Sequence, residues 1–242
     1  MSLKRLDKLL ALNCNLSRKE ARHLIKDGKV SVNGRTVLRA EELINTEEDS
    51  IDVKGTSFTI KDHIYIMMNK PRGVISATSD PRKETVIDRV PDELRRRSLF
   101  PCGRLDRDTT GLLIITDDGE MAHKIMSPAH HVYKTYIACL EQALSGEDIA
   151  KLEEGITLGD GTVCLPAKVK AFTNSDDIPC AEISIREGKY HQVKRMFAAL
   201  GNKVTDLQRI AIGSLSLDEK LPEGGCRELL PEEIEMLFTD KQ

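Results

Sequence analysis

A chain of 242 residues is long enough for one large domain, or for a small domain joined to a larger one. Only 4% of its residues are aromatic and there is no Trp, so the core must be built mainly from Leu, Ile, Val and Met. The formal net charge of -3 argues against a nucleic-acid partner, but it is an average over two unlike parts: residues 1–40 hold ten Lys and Arg against three acidic groups, a balance of +7, which leaves -10 for the remainder.

Taken in chain order, Leu3, Leu6, Leu9 and Leu10 keep a helical period. Ser17 is a good N-cap for a second helix, with Glu20 three residues on completing a capping box and Ala21, Leu24 and Ile25 as its apolar face. Gly28 ends that helix. Val30 and Val32 then alternate in a strand that turns at Asn33-Gly34, a strong hairpin signal. An acidic stretch (Glu41, Glu42, Glu47, Glu48, Asp49, Asp52) and the chain to about Asp62 are read as the end of a first domain, residues 1–60, and its linker. A second domain, residues 61–242, opens on a buried strand, Ile64 to Asn69, halted by Lys70-Pro71-Arg72-Gly73. Further strands are expected at 99–105, 112–116, 134–140, 169–173, 181–185 and 210–215, and helices at 84–89, 120–126, 145–153, 191–200 and 231–238. Many strands with irregularly interleaved helices argue for an α+β fold, a mixed and largely antiparallel sheet flanked by helices.

The six cysteines (Cys14, Cys102, Cys139, Cys164, Cys180, Cys226) form no Cys-x-x-Cys pair, and neither a signal peptide nor a long apolar run is evident. These features are read as reduced thiols in a soluble, cytoplasmic protein with no membrane partner. A monomer is expected, because no exposed apolar stripe stands out. The adjacent His130 and His131 point in different directions and no Cys/His spacing completes a metal site, so no metal is expected.

The segment that invites chemistry is Gly103-Arg104-Leu105-Asp106-Arg107-Asp108-Thr109-Thr110-Gly111, a polar loop between two strands with two carboxylates among arginines. A carboxylate there can sit on the floor of a cleft, where a nearby cation favours the ionised form that a nucleophile requires. On spacing alone, a hairpin whose Asp and Thr residues satisfy the turn is the better reading. Paired carboxylates such as Asp106 and Asp108 would also suit a glycoside or nucleoside hydrolase.

This segment resembles the catalytic motif of the pseudouridine synthases, in the branch typified by the small-subunit ribosomal RNA enzyme RsuA. Three more stretches resemble the family in its order: 68–74 (Met-Asn-Lys-Pro-Arg-Gly-Val), 127–136 (Ser-Pro-Ala-His-His-Val-Tyr-Lys-Thr-Tyr) and 186–196 (Arg-Glu-Gly-Lys-Tyr-His-Gln-Val-Lys-Arg-Met). The resemblance implies that Asp106 is the catalytic nucleophile, that Lys194 pairs with it and that Tyr136 lies over the target base. It gives Arg104 a wedging role on the RNA; a plain ion pair with Asp106 or Asp108 is the alternative. Tyr136 could otherwise be a packed strand tyrosine bonded through its hydroxyl, and Lys194 part of a solvated helix face.

The N-terminal segment resembles the alpha-L RNA-binding motif, on Arg5-Leu6-Asp7-Lys8, 17–22 and 28–34. Arg5, Ser17, Arg18, Lys19, Arg22, Lys26 and Lys29 then form a phosphate-binding surface with little capacity to read bases. The resemblance implies isomerisation of a uridine in ribosomal RNA, with 16S RNA or an assembling small subunit as partner and no cofactor. Two details favour the small-subunit branch: Asp-Thr-Thr-Gly-Leu after Arg107, and His130-His131 ahead of Lys134-Thr135-Tyr136. A 23S enzyme of the same family and a non-catalytic RNA-binding assembly factor are the alternatives.

Overall fold

The computed structural model describes residues 3–46, 48–58, 60–96, 98–127 and 130–239. Pro128 and Ala129 of the third resembling stretch, Glu47 of the acidic stretch and the first two residues lie outside them. The chain divides into two compact units, Met1–Ile64 with Pro91–Leu99, and Tyr65–Val90 with Phe100–Gln242. The first unit is thus discontinuous, unlike the single boundary near residue 60 expected from sequence. Arg96, almost fully buried, explains where 91–99 belongs: its guanidinium donates to the Lys61 carbonyl at 3.4 Å and to Asn13 Oδ1 at 3.1 Å.

The first unit begins with a strand, β1 (Leu3–Arg5), and helices α1 (Leu6–Asn13) and α2 (Arg18–Lys26). It continues with strands β2 (Val30–Val32), β3 (Arg35–Thr36), β4 (Leu43–Asn45), β5 (Ile51–Val53) and β6 (Thr56–Phe58). The capping box is formed: Ser17 Oγ accepts from the Glu20 N–H at 3.2 Å, and Glu20 Oε2 accepts from the Ser17 N–H at 2.6 Å. Two expectations fail here. Leu3 is not helical; it opens β1, which pairs with β4, and it is 60% exposed. The chain from Glu41 to Asp62 is less linker than expected: the acidic stretch supplies β4 and most of β5, and β6 follows it, because its sparse apolar residues Ile44 and Ile51 complete the core of Leu6, Leu9, Leu10, Ala21, Ile25 and Val30.

Asp7 is the electrostatic centre of this unit. It is fully buried and accepts hydrogen bonds from Arg5, Arg18 and Arg22 at 2.9–3.1 Å. Burial alone would raise its pKa, but the three guanidinium hydrogen bonds outweigh burial and hold it far below the usual carboxylate range. Asp7→Asn should therefore cost about 2 kcal/mol, less than a wholly buried pair because the arginines are 40–52% exposed. A depressed folded-state pKa means that this stability is present above the unfolded value and lost as pH falls through the folded one. Urea midpoints of the wild type and the variant should then differ at pH 7 and converge as pH drops below about 4. A gap that persists at low pH would show that the charge is not the cause.

The second unit contains the strands β7 (Tyr65–Lys70), β8 (Phe100–Cys102), β9 (Thr110–Thr116), β10 (Lys134–Leu140), β11 (Lys168–Thr173), β12 (Pro179–Ile185), β13 (Val204–Ile212), β14 (Leu215–Ser216) and β15 (Cys226–Glu228). Its helices are α3 (Gly119–Met126), α4 (Gly146–Glu154), α5 (Gln192–Ala199) and α6 (Pro231–Met236). The strands form a nine-stranded sheet in the order β11-β12-β10-β13-β9-β7-β15, with β14 on β13 and β8 on β9. Every pairing is antiparallel except β13 with β9. The fold is α+β, with a mixed, largely antiparallel sheet. Helices α4 and α5 cover one part of the sheet through Leu152, Met196 and Phe197 against Ala138, Ile183 and Leu207. Helices α3 and α6 cover another part through Met121, Ile125 and Ile234, with Leu237 just past α6, against Met67, Leu112, Ile114 and Ile212.

The helix expected at 84–89 is absent: the segment is a series of turns. Asp88 Oδ2 accepts from both the backbone N–H and the hydroxyl of Thr85 at 2.8 Å, and the Val86 N–H donates to the Ile75 carbonyl at 3.0 Å. Short polar side chains here give the backbone partners that a helix would otherwise supply. Among the described residues no helix is long and apolar enough to cross a membrane.

Candidate active site

Asp106 stands in the loop between β8 and β9, and the preceding segment of the chain immobilises that loop. Lys70, at the end of β7 and fully buried, donates to the carbonyls of Pro71 and Thr109, both at 2.9 Å. Burial lowers its pKa to about 8, partly countered by Asp108 and Asp106. Gly73 and Arg107 are joined twice, by the Gly73 N–H to the Arg107 carbonyl at 2.7 Å and by Arg107 Nε to the Gly73 carbonyl at 2.9 Å. Ser76 Oγ donates to the carbonyl of Leu105 and accepts from its N–H, both at 3.0 Å. The residue before Asp106 is thus pinned on both sides by one hydroxyl. Ser76→Ala should leave the Leu105 N–H unsatisfied at a cost of about 1–3 kcal/mol. Turnover should fall several-fold at unchanged RNA affinity, checked by single-turnover rates beside filter binding; equal losses in both would show general destabilisation instead.

Helix α5 meets the loop from the other side. Lys194 Nζ lies 2.6 Å from Asp108 Oδ1 and 3.2 Å from Asp106 Oδ2. The expected Lys194–Asp106 pair is present, but Asp108 holds the shorter contact. The Lys194 hydrogen bond keeps the Asp108 carboxyl below its ordinary pKa. His191 Nε2 lies 3.3 Å from the other oxygen of Asp106. His191 has a left-handed backbone, φ 47°, at the N-cap of α5, a conformation costly for a non-glycine residue and typical of functional sites. Tyr190 stacks on it with ring centroids 3.8 Å apart and is 74% exposed.

A cavity of about 390 Å³ opens beside Asp106 and lies within the second unit. This is in the size range of small-ligand sites, roughly 300–1,000 Å³. Tyr136, from β10, lines it while packing against the core of Ala138, Ile183 and Leu207, and no hydrogen bond of its hydroxyl is found among the described residues. Arg104 is exposed at the same cavity and makes no ion pair with Asp106 or Asp108 among the described residues. Lys134, Ile185, Val193 and Leu207 complete much of the wall.

Sequence reading missed His191, Lys134 and the role of Lys70. All three fall within the resembling stretches, yet nothing in their residue type signals burial or contact with Asp106. In the first unit, Ser17 is engaged by Glu20, Arg5, Arg18 and Arg22 share Asp7, and Lys29 pairs with Asp27 at 3.3 Å, whereas Lys19 and Lys26 are exposed and make no ion pair among the described residues. The structure therefore separates structural cations from open ones in a way that charge counting does not.

The RNA pseudouridylate synthase family matches residues 64–199, more than half of the chain, and the S4 domain matches residues 4–51. This chain belongs to the RNA pseudouridylate synthase family. Among similar proteins, a ribosomal small subunit pseudouridine synthase A of Vibrio cholerae is 40% identical over 97% of this chain and 99% of its own. A ribosomal large subunit pseudouridine synthase B of Bacillus subtilis is 38% identical over 97% and 96%. A solved pseudouridylate synthase structure shares 42% identity, covers 96% of this chain and 99% of its own, and superposes with a TM-score of 0.65. The synthase fold thus carries the cavity, and the S4 domain is the basic N-terminal module.

Proposed function

We propose that this pseudouridine synthase acts on ribosomal RNA, that its target lies in the small-subunit 16S RNA, and that Asp106 is its nucleophile. The observation that carries this reading is Asp106 itself. Its carboxylate is one-quarter exposed, contacts Lys194 and His191, and faces a cavity lined by Tyr136. Pseudouridine formation breaks the bond from ribose carbon 1′ to uracil nitrogen 1 and joins the ribose to uracil carbon 5. A proton then leaves carbon 5 and nitrogen 1 ends protonated, so atoms and electrons balance without a cofactor.

In this reading Asp106 adds to the ribose or to the base, Lys194 pairs with its charge, and Tyr136 stacks on the extruded uracil. Extruding a nucleotide costs a few kcal/mol. Phosphate contacts from Lys19 and Lys26 of the S4 domain, and from Arg5, Arg18, Arg22 and Lys29, which stay about half exposed beside their aspartate partners, offset that cost, with Arg104 at the cavity mouth acting as the wedge. Ser17 supports them only as the cap of α2. The protein works as a monomer in the cytoplasm, on free RNA or on an assembling small subunit.

The small-subunit assignment rests on the Asp-Thr-Thr-Gly-Leu sequence and the His130-His131 pair, together with the Vibrio relative. The Bacillus relative favours a 23S target as the second reading. Mapping pseudouridine in both ribosomal RNAs, with and without this gene, separates them: one 16S position should revert to uridine. Reversion confined to 23S RNA would overturn the subunit assignment, and no reversion in either would overturn the ribosomal substrate.

A further inference from the structure

Arg209 is a buried cation facing the same cavity, and the mechanism above gives it no task. It sits on β13 directly opposite Tyr136 of β10, so the two side chains project from the same face of the sheet. Both line the cavity that holds Asp106. Arg209 is only 3% exposed. Its Nε donates to the Leu112 carbonyl at 2.7 Å, but Nη2 is buried with no hydrogen-bond partner and no carboxylate pairs with the guanidinium among the described residues. Lys134, a second buried cation of the same cavity, is near enough to feel the charge of Arg209, and burial followed by that charge lowers its pKa to about 8. Asp106 and Glu187 line the same cavity, but neither pairs with Arg209 or Lys134 among the described residues, and Lys134 donates to the Ile125 carbonyl at 2.8 Å. The guanidinium alone keeps idle donors, and an uncompensated buried cation favours a ligand that brings negative charge to it.

We propose that the idle edge of the Arg209 guanidinium hydrogen-bonds a carbonyl oxygen of the target uracil and stabilises the negative charge that develops there during catalysis. The inference rests on the reading of Asp106 and its cavity as the reaction site. If Asp106 attacks ribose carbon 1′, the electron pair left on nitrogen 1 is shared by both ring carbonyl oxygens; if it adds to uracil carbon 6, the pair passes through carbon 5 to the carbon 4 carbonyl oxygen alone. In the first case the carbon 1′–nitrogen 1 bond breaks and Asp106 takes the ribose; in the second the carbon 5–carbon 6 double bond gives up its π pair. A donor fixed beforehand at that oxygen acts mainly in the transition state. The depth of Arg209 favours the base over a phosphate, because phosphates stay with the strand outside the cavity.

The test is a chemical double-mutant cycle under single-turnover conditions. A synthetic RNA carries uridine, 2-thiouridine or 4-thiouridine at the modified position, sulfur being the weaker acceptor. On uridine, Arg209→Met should be slower by about 100-fold. On the thio-substrate that disrupts the contacted oxygen, the wild type should slow several-fold while Arg209→Met loses nothing further. Arg209→Lys is measured beside it and should give an intermediate rate, which covers the case in which loss of the Leu112 contact prevents folding. Equal handling of all three RNAs by the wild type, or an Arg209→Met defect of the same size on each, would overturn the proposal. Asp106→Asn is included on the same RNA. If that variant is active the site reading itself fails, whereas an inactive Asp106→Asn with a normal Arg209→Met removes only this inference.

Discussion

Asp106→Asn protein should bind its RNA within about twofold of the wild type and convert uridine at least about 10⁴-fold more slowly, the scale seen when an enzyme loses its nucleophile. The geometry predicts a clean variant. Removing the charge of Asp106 does not strand Lys194, which keeps Asp108 at 2.6 Å, and the amide that replaces the carboxylate fills the same volume. The loop is held by Lys70, Gly73 and Ser76 through its backbone, so its course does not depend on the Asp106 side chain. Phosphate contacts assigned to the S4 domain are untouched. Release of tritium from carbon 5 of labelled uridine, measured beside filter binding, reads both quantities. Product at a rate near that of the wild type would remove Asp106 from the mechanism, and a parallel collapse of binding would mean that the substitution disturbs more than chemistry.

The second large effect is structural. Gly111, in the resembling segment, has φ +98°, and a Cβ built on it would stand 2.2 Å from the carbonyl oxygen and 2.9 Å from the nitrogen of Arg209. These are backbone atoms in the sheet and cannot swing aside. Gly111 is also where β9 and β13 make their parallel pairing, with Gly111 opposite Arg209 and Thr110 opposite Gln208. Gly111→Ala must therefore force a central pair of strands apart while adopting a backbone conformation that a side chain disfavours. The expected cost exceeds about 4 kcal/mol, a fall in melting temperature of roughly 8–16 °C for a chain of this size. A variant melting within about 2 °C of the wild type would show that β9 and β13 approach less closely than described.

Much of this architecture is legible in the sequence, for identifiable reasons. The strand at Lys134–Leu140 and the apolar run ending at Thr116 are visible because burial fixes their residue types. The Ser17 and Glu20 capping box is visible because it is a local geometric device with a three-residue spacing. What is not legible depends on distant partners. The strand β1 exists only because β4 lies beside it, and neither has a periodic signal over three residues. Residues 84–89 carry helix-compatible composition, yet a single carboxylate, Asp88, redirects the backbone into turns. Lys70 reads as part of the Lys-Pro-Arg-Gly stop that ends a strand, whereas it is completely buried and donates to the carbonyls of Pro71 and Thr109. At the candidate site the residues themselves offered Asp106 and Asp108, the resemblance gave roles to Asp106, Lys194, Tyr136 and Arg104, and the structure added His191, Lys134 and Arg209 around them.

Because residues 91–99 belong with the first unit, the polypeptide crosses between the two units three times rather than once. No single cut in the gene yields two intact halves. A fragment beginning at residue 61 would carry Arg96 but not Asn13, whose amide oxygen the guanidinium uses, and would leave that buried cation under-solvated. A fragment ending at residue 64 would lack the whole returning segment. Dissection of this enzyme into an RNA-holding piece and a catalytic piece thus requires transplanting 91–99 as well, and RNA-binding losses measured on simple truncations would report damaged folding as much as missing phosphate contacts.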